Sequence, residues 1–360
     1  MKDAQIISII ENIKEPKLGL TLGEMGIQPK LMHDADCIDI YIELPFPGKY
    51  IQESLLEGIK ETLYAKLPYH TFNITIEQNI HTYRTQLPGK GLHNVKNVIA
   101  IASGKGGVGK STVAVNIAAA LAQTGANVGL LDADIYGPSI PIMLGAGDGV
   151  RMQDEKYVPI FSHGIQAMSI GYLTKDDTAL IWRGPMLAKS LIQMLDITAW
   201  DNLDYLIVDL PPGTGDIQLS LVQKIPLAGA IVVTTPQQVA TFDAKKAIQM
   251  FNKTNIYTVG LIENMALHTC SNCGQQEAIF GSNGAQKLAA NSGCELLGQI
   301  PLTASIANNC DQGTPTVCYP NSELSQNFID IAMRFAINIS KRPLNYADKF
   351  PHIMATSKQI

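Results

Sequence analysis

The sequence predicts an α/β protein: a mostly parallel sheet covered by helices on both faces, preceded by a small α+β domain. Three observations carry this. From Asn97 onward, short runs apolar at every position alternate with longer segments of helical period. Before residue 80, strand-like alternation flanks a single amphipathic helix. The 360 residues, 46% of them apolar, suffice for two domains at roughly 150 residues each.

In chain order, a first helix is expected over Asp3–Ile13, with Pro16 beyond its end. Cys37–Leu44 alternates as a strand, and Pro45-Phe46-Pro47-Gly48 makes a turn. Ile51, Leu55, Ile59 and Leu63 recur every fourth residue, with Leu56 beside them, which marks one apolar helix face. Phe72, Ile74 and Ile76 alternate with polar residues as a half-buried strand. These elements set a small domain at 1–80. Residues 81–96, poor in large apolar groups, read as a linker to a second domain at 97–342. In that domain the runs Val98–Ala102, Val128–Leu131, Tyr205–Val208, Ala230–Val233 and Val259–Ile262 are strands hidden on both faces. A further strand is expected over Glu295–Ile300. The tail 343–360 is polar, carries Pro343 and Pro351, and is expected to be extended.

A net charge of −5 argues against a general nucleic-acid or anionic-membrane binder, which needs a basic face. No run approaches the about 20 apolar residues of a membrane span, and the N-terminus does not read as a signal peptide. A cytoplasmic protein with neither nucleic-acid nor membrane partner is expected. Cysteines stand at 37, 270, 273, 294, 310 and 318. In a reducing compartment they are no disulfide framework. Only Cys270 and Cys273 are closely spaced; the other four read as small apolar residues in or near the core.

Gly104-Lys105-Gly106-Gly107-Val108-Gly109-Lys110-Ser111-Thr112 joins the first apolar run to a helix. Small residues let the backbone close on a phosphate, and the helix N-terminus adds roughly half a positive charge. Lys110 is expected on the β- and γ-phosphates, Ser111 on Mg²⁺ and Thr112 on the α-phosphate. Gly104, Gly106 and Gly109 also satisfy G-x-G-x-x-G, with Asp132 placed as in a dinucleotide site. Lys110-Ser111, the carboxylate Asp209 closing the run Leu206–Val208, and a helix register without another glycine decide for ATP and Mg²⁺. Asp134 is assigned to the attacking water. Asp132 is left as metal shell or loop anchor, and the pair could equally be an Asx turn or helix cap. Asp209-Leu210-Pro211-Pro212-Gly213-Thr214-Gly215-Asp216 reads as a switch, with Gly213 and Gly215 letting amides approach the γ-phosphate.

Together, Lys105, the run Asp132–Ser139, Trp182-Arg183-Gly184-Pro185-Met186, Asp209–Asp216 and Cys270-Ser271-Asn272-Cys273 resemble the Mrp/ApbC family. These are iron–sulfur cluster carriers among the MinD/ParA-like deviant Walker A P-loop ATPases. The likeness covers about residues 96–320. Residues 1–80 resemble the small iron–sulfur assembly domain at the head of many Mrp proteins. Its Pro-rich turn often holds a cysteine; here Leu44-Pro45-Phe46-Pro47 has none. The resemblance implies that Lys105 crosses a homodimer interface to the partner's nucleotide. It also implies adenine contacts at Asn264 and Pro301, slow ATP hydrolysis coupled to cluster transfer, and apo iron–sulfur proteins and assembly scaffolds as partners.

Two thiolates at the Cys270/Cys273 spacing can be redox-active, half a zinc site, half an iron–sulfur site, or inert. No thioredoxin-like pattern surrounds them. A [4Fe–4S] cluster needs four thiolates, and one chain offers a single pair. A two-fold dimer that bridges one cluster is the simplest completion. The spacing of Cys294, Cys310 and Cys318 gives no support for completion within one chain. The alternatives are a MinD/ParA-like positioning ATPase and an ATPase with a structural zinc clip at the same cysteines.

Overall fold

The structure is a computed structural model that describes residues 3–34, 37–135, 137–147, 149–173, 184–270 and 272–345. Tyr136, Trp182, Arg183, Ser271 and the tail 346–360 lie outside the described residues.

The N-terminal unit is α1 (Asp3–Glu11), β1 (Lys30–Asp34), β2 (Cys37–Leu44), α2 (Gln52–Lys66) and β3 (Thr71–Gln78). Its sheet runs β1-β2-β3, antiparallel then parallel. Burial alternates strictly along β2, and Leu55, Ile59 and Leu63 form the buried stripe of α2. Helix α1 stops short of Ile13 because the Ile13 carbonyl accepts from the Leu22 N–H at 3.0 Å.

The second unit opens with β4 (Val95–Ser103), α3 (Lys110–Gln123), β5 (Val128–Asp132) and the short α4 (Ile140–Met143). The small strands β6 (Arg151–Gln153) and β7 (Lys156–Val158) pair with each other; β8 (Ile160–Ser162) and β9 (Ile165–Ser169) follow. Then come α5 (Gly184–Ile197), β10 (Leu203–Asp209), α6 (Asp216–Val222), β11 (Gly229–Thr234), α7 (Gln238–Lys253) and β12 (Thr258–Glu263). A two-stranded hairpin, β13 (His268–Thr269) and β14 (Gln276–Glu277), precedes α8 (Gly284–Ser292), β15 (Leu296–Gln299), α9 (Ala304–Asp311) and α10 (Glu323–Ser340).

The large sheet runs β15-β12-β11-β4-β10-β5-β9-β8 and is parallel except at its β8 edge. Each of the five apolar runs is one of its strands. Strands β8 and β9 extend it further than the sequence pattern indicates. Helices α3 and α10 cover one face, and α5, α6, α7 and α8 the other. The core under α3 and α10 is continuous with that of the N-terminal unit. The Lys49 N–H and the Gln78 amide bond the carbonyls of Thr124 and Gly125, just past the end of α3, at 3.1 and 2.9 Å.

Residues 81–96 are more than a spacer. Tyr83 is buried, donates its hydroxyl to the Pro45 carbonyl at 2.9 Å, and donates its N–H to Asn97 Oδ1 at 3.0 Å. Strand β4 begins at Val95, inside this stretch. No helix among the described residues is long and apolar enough to cross a membrane.

Candidate nucleotide site and cysteine hairpin

Parallel register brings Asp209, Asp132 and Ser169 side by side at the C-terminal ends of β10, β5 and β9. The loop after β4 passes over these ends and turns into α3. Two of its glycines are sterically required. A Cβ on Gly104 would stand 2.1 Å from the carbonyl carbon of Asp243 in α7. Gly109 has φ +77, the left-handed region, and a Cβ there would stand 2.3 Å from Asn264 Nδ2.

Lys110 is buried, and its ammonium donates to Asp209 Oδ1 at 2.6 Å. It also lies 3.8 Å from Asp134 Oδ2. Ser111 donates its hydroxyl to the other oxygen, Asp209 Oδ2, at 2.5 Å. Asp209 is fully buried, and Lys110 and Ser111 bond both of its oxygens. The cavity above is about 250 Å³ and is lined by Lys105, Gly106, Lys110, Thr112, Asp134 and Pro212, among others. Its breadth and hydrogen-bond donors suit a phosphate chain.

Asp132 sits beneath. Its oxygens accept from the Asp134 N–H at 3.1 Å and the Ser169 hydroxyl at 3.0 Å. Burial, reinforced by the charge of Asp209, pushes its carboxyl up to about 8. Asp132 thus holds the turn that presents Asp134. Ser169 is a member of this site that no motif marked; the His163-Gly164 turn before its short strand was the only available signal.

On the second loop, Gly213 directs its N–H to the Ser103 carbonyl at 3.0 Å, tying this loop to the end of β4. Gly215 caps α6 in extended conformation. Lys105 stands at the cavity wall, its carbonyl accepting from the Ser103 hydroxyl at 2.9 Å. Asn264 and Pro301 do not line this cavity. Asn264 instead donates Nδ2 to the Val108 carbonyl at 2.9 Å, and Pro301 follows β15.

Cys270 and Cys273 lie at the tip of the β13–β14 hairpin, where the Gly274 N–H closes the turn on the Cys270 carbonyl at 2.9 Å. Cys273 is exposed and Cys270 half-buried. The backbone N–H of Cys273, then that of Asn272 and the Cys273 thiol, hold the Cys270 thiol below its ordinary range. That favours the thiolate, the form that ligates metals. Burial pushes the thiols of Cys294, Cys310 and Cys318 the other way. Among the described residues, no group of three or more His, Cys, Asp or Glu gathers as one metal site.

A phosphate loop after the first strand of a parallel sheet, with lysine, hydroxyl and strand-end carboxylate interlocked, defines a P-loop nucleotide-binding protein. The family described as "ParA: NUBPL iron-transfer P-loop NTPase" matches residues 94–336, and the chain belongs to it. An iron-sulfur cluster carrier protein of Escherichia coli K12 is 47% identical over 350 residues, covering 93% of this chain and 92% of the relative. One of Synechocystis is 38% identical over 346 residues, covering 94% and 98%. In structure, the chain resembles a nucleotide-binding protein of Archaeoglobus fulgidus in complex with ADP. That TM-score is 0.54 at 38% identity, over 61% of this chain and 87% of the other.

Proposed function

We propose that this protein is an ATP-hydrolysing iron–sulfur cluster carrier that holds one cluster between two copies of the chain and passes it to apo-proteins. The observation that carries this reading is a nucleotide site and a closely spaced cysteine pair, Cys273 exposed and Cys270 half-buried, on loops that leave the C-terminal ends of strands of one sheet. The relatives named as cluster carriers, which match nearly the whole chain, support it.

ATP would bind with its phosphates in the loop cavity. Lys110 would exchange its bond to Asp209 for the β- and γ-phosphates, freeing the carboxylate. The Ser111 hydroxyl and Asp209 are hard oxygen donors at one point of the cavity and fit Mg²⁺, which takes one or two protein oxygens alongside phosphate. The ion would neutralise charge developing on the phosphoryl group. Asp134, near Lys110 at the cavity wall, would orient the attacking water. Lys105 of a second copy would add its charge to the same phosphates.

The cluster, of [4Fe–4S] type, is cargo. Cys270 and Cys273 supply two of its four thiolates and a second copy supplies the others. With only two bonds per chain, the cluster is held for release to apo iron–sulfur proteins or receipt from scaffolds. Residues 1–80 and 97–342 are the two domains of this carrier, acting in the cytoplasm. The test is metal and sulfide analysis of anaerobically reconstituted protein. Wild type should hold iron and sulfide, and Cys270→Ser should lose both. Equal iron in the mutant, or zinc without sulfide in the wild type, contradicts the proposal.

A further inference from the structure

Two consecutive side chains at the end of β12 hold two different parts of the molecule. Glu263 is fully buried; its carboxylate accepts from the Ala285 N–H in the first turn of α8 at 2.8 Å and from the Gln299 amide. Asn264, also buried, bonds the phosphate loop at Val108. The chain then leaves as the excursion 265–283, which carries both hairpin cysteines, and returns at α8. The two ends of the cysteine excursion are therefore fixed from neighbouring residues of one strand.

The first residue of the excursion is strained. Met265 has φ +56, a left-handed conformation for a long side chain, which costs on the order of 1 kcal/mol or more. Its N–H donates to Asn264 Oδ1 at 2.9 Å. Its terminal methyl lies 3.7 Å from where a Cβ of Gly109 would stand. Both Asn264 and Met265 thus seat against the phosphate loop. Beyond them the strap is hydrogen-bonded all the way to the hairpin. The Ala266 N–H reaches the Ile300 carbonyl at 2.9 Å, and the Leu302 N–H reaches the Leu267 carbonyl at 2.8 Å. The His268 ring lies 3.1 Å from the Leu302 carbonyl, two residues before Cys270.

We propose that Asn264 and Met265 are positioning residues that couple the phosphate loop to the cysteine hairpin within a single chain, so that nucleotide in the loop alters the accessibility of Cys270 and Cys273. The proposal deepens the carrier reading and takes its purpose from it, but the coupling is a property of the metal-free thiols. A phosphate chain engages the N–H groups flanking Val108, and the Val108 carbonyl cannot reorient without carrying Asn264. The left-handed turn at Met265 has no neighbouring well to absorb the shift gradually, so displacement passes into the strap. The effect is reciprocal: metal on the cysteines changes nucleotide affinity by the same factor. Asn264 spends an N–H on Val108 and accepts with Oδ1 from Met265, outside the phosphate cavity.

The experiment is iodoacetamide labelling of Cys270 and Cys273 in the metal-free full chain, read by peptide mass spectrometry. It is run without nucleotide and with MgATP or MgADP at concentrations saturating each variant. Nucleotide should change the wild-type labelling rate about fivefold. Asn264→Ala should bring the ratio to about one at saturating nucleotide. Asn264→Asp, which keeps the acceptor for Met265 but offers Val108 no donor, should do the same. The proposal is overturned by wild-type rates indifferent to nucleotide or by a wild-type ratio in Asn264→Ala. Hydrogen exchange of the wild-type Ala266 and Leu302 amides needs no variant; protection unchanged by MgATP overturns the proposal too. If iron and sulfide analysis rejects the cluster, this labelling result stands on its own.

Discussion

The phosphate loop and the cysteine hairpin leave the same edge of the sheet, and they are built by opposite rules. The loop is closed on itself. Its lysine, hydroxyl and carboxylate are interlocked, and the Asp243 backbone and the Asn264 side chain leave Gly104 and Gly109 no room for a Cβ. The hairpin is open. Its two thiols project at a two-stranded tip, and the described residues bring it no further ligand. The lysine, hydroxyl and carboxylate of the loop all come from one chain, and on the proposed reading only Lys105 is added by a second copy. On the same reading the hairpin is half a site and shares its cargo with whatever supplies the other half.

Lys110→Ala breaks the closed site most severely. Removing one partner of the buried pair strands the Asp209 charge, at a cost of about 3–5 kcal/mol. Phosphate release should fall about 10³-fold, and turnover at the wild-type rate would refute the assigned role. Iron loading of the hairpin should survive if the fold does.

Matched glycine substitutions sharpen the contrast. Gly109 and Gly274 both have positive φ, +77 and +71. Gly109→Ala must also displace Asn264, whereas nothing lies within 4 Å of a Cβ on Gly274. Urea unfolding should therefore show a loss of several kcal/mol at position 109 but only about 1 kcal/mol at 274. Equal losses would mean the two turns are equally constrained.

A smaller effect lies beneath the loop. Asp132 has its carboxyl raised from 3.8 to about 8 in the folded chain. Below the lower value both states are protonated and nothing is lost. As pH rises from there to about 8, the unfolded chain ionises first, so the contribution of Asp132 to stability falls, then levels off. Urea midpoints at pH 5 and pH 8 should differ less in Asp132→Asn than in wild type; an unchanged difference would show that this carboxyl titrates normally. The smallest effect is expected from Cys310→Ser. That thiol is buried with Asn116, far from the chemistry of the pair, and iron content should not change.

What could be read from the sequence follows the range of the interaction that carries it. The five all-apolar runs mark strands hidden on both faces, a local signal, and the phosphate loop is contiguous. Asp209 was legible because it closes one such run. The bond from Asn264 to Val108 spans 156 positions and is made only when β12 and β4 share a sheet, so nothing near either residue announces it. Strand β9, Ile165–Ser169, is short and mixes Gln166 among its apolar residues, which hid it and with it Ser169. Residues 81–96 look like a linker by composition, yet a single tyrosine, Tyr83, is enough to pin them between the two units.

The hairpin, as proposed, is half of a shared site. Native mass spectrometry of the anaerobically reconstituted protein measures this directly. A cluster found only on the dimer, one per two chains and about two irons per chain, is the predicted result. A cluster carried by the monomer, or two clusters on each dimer, would contradict it.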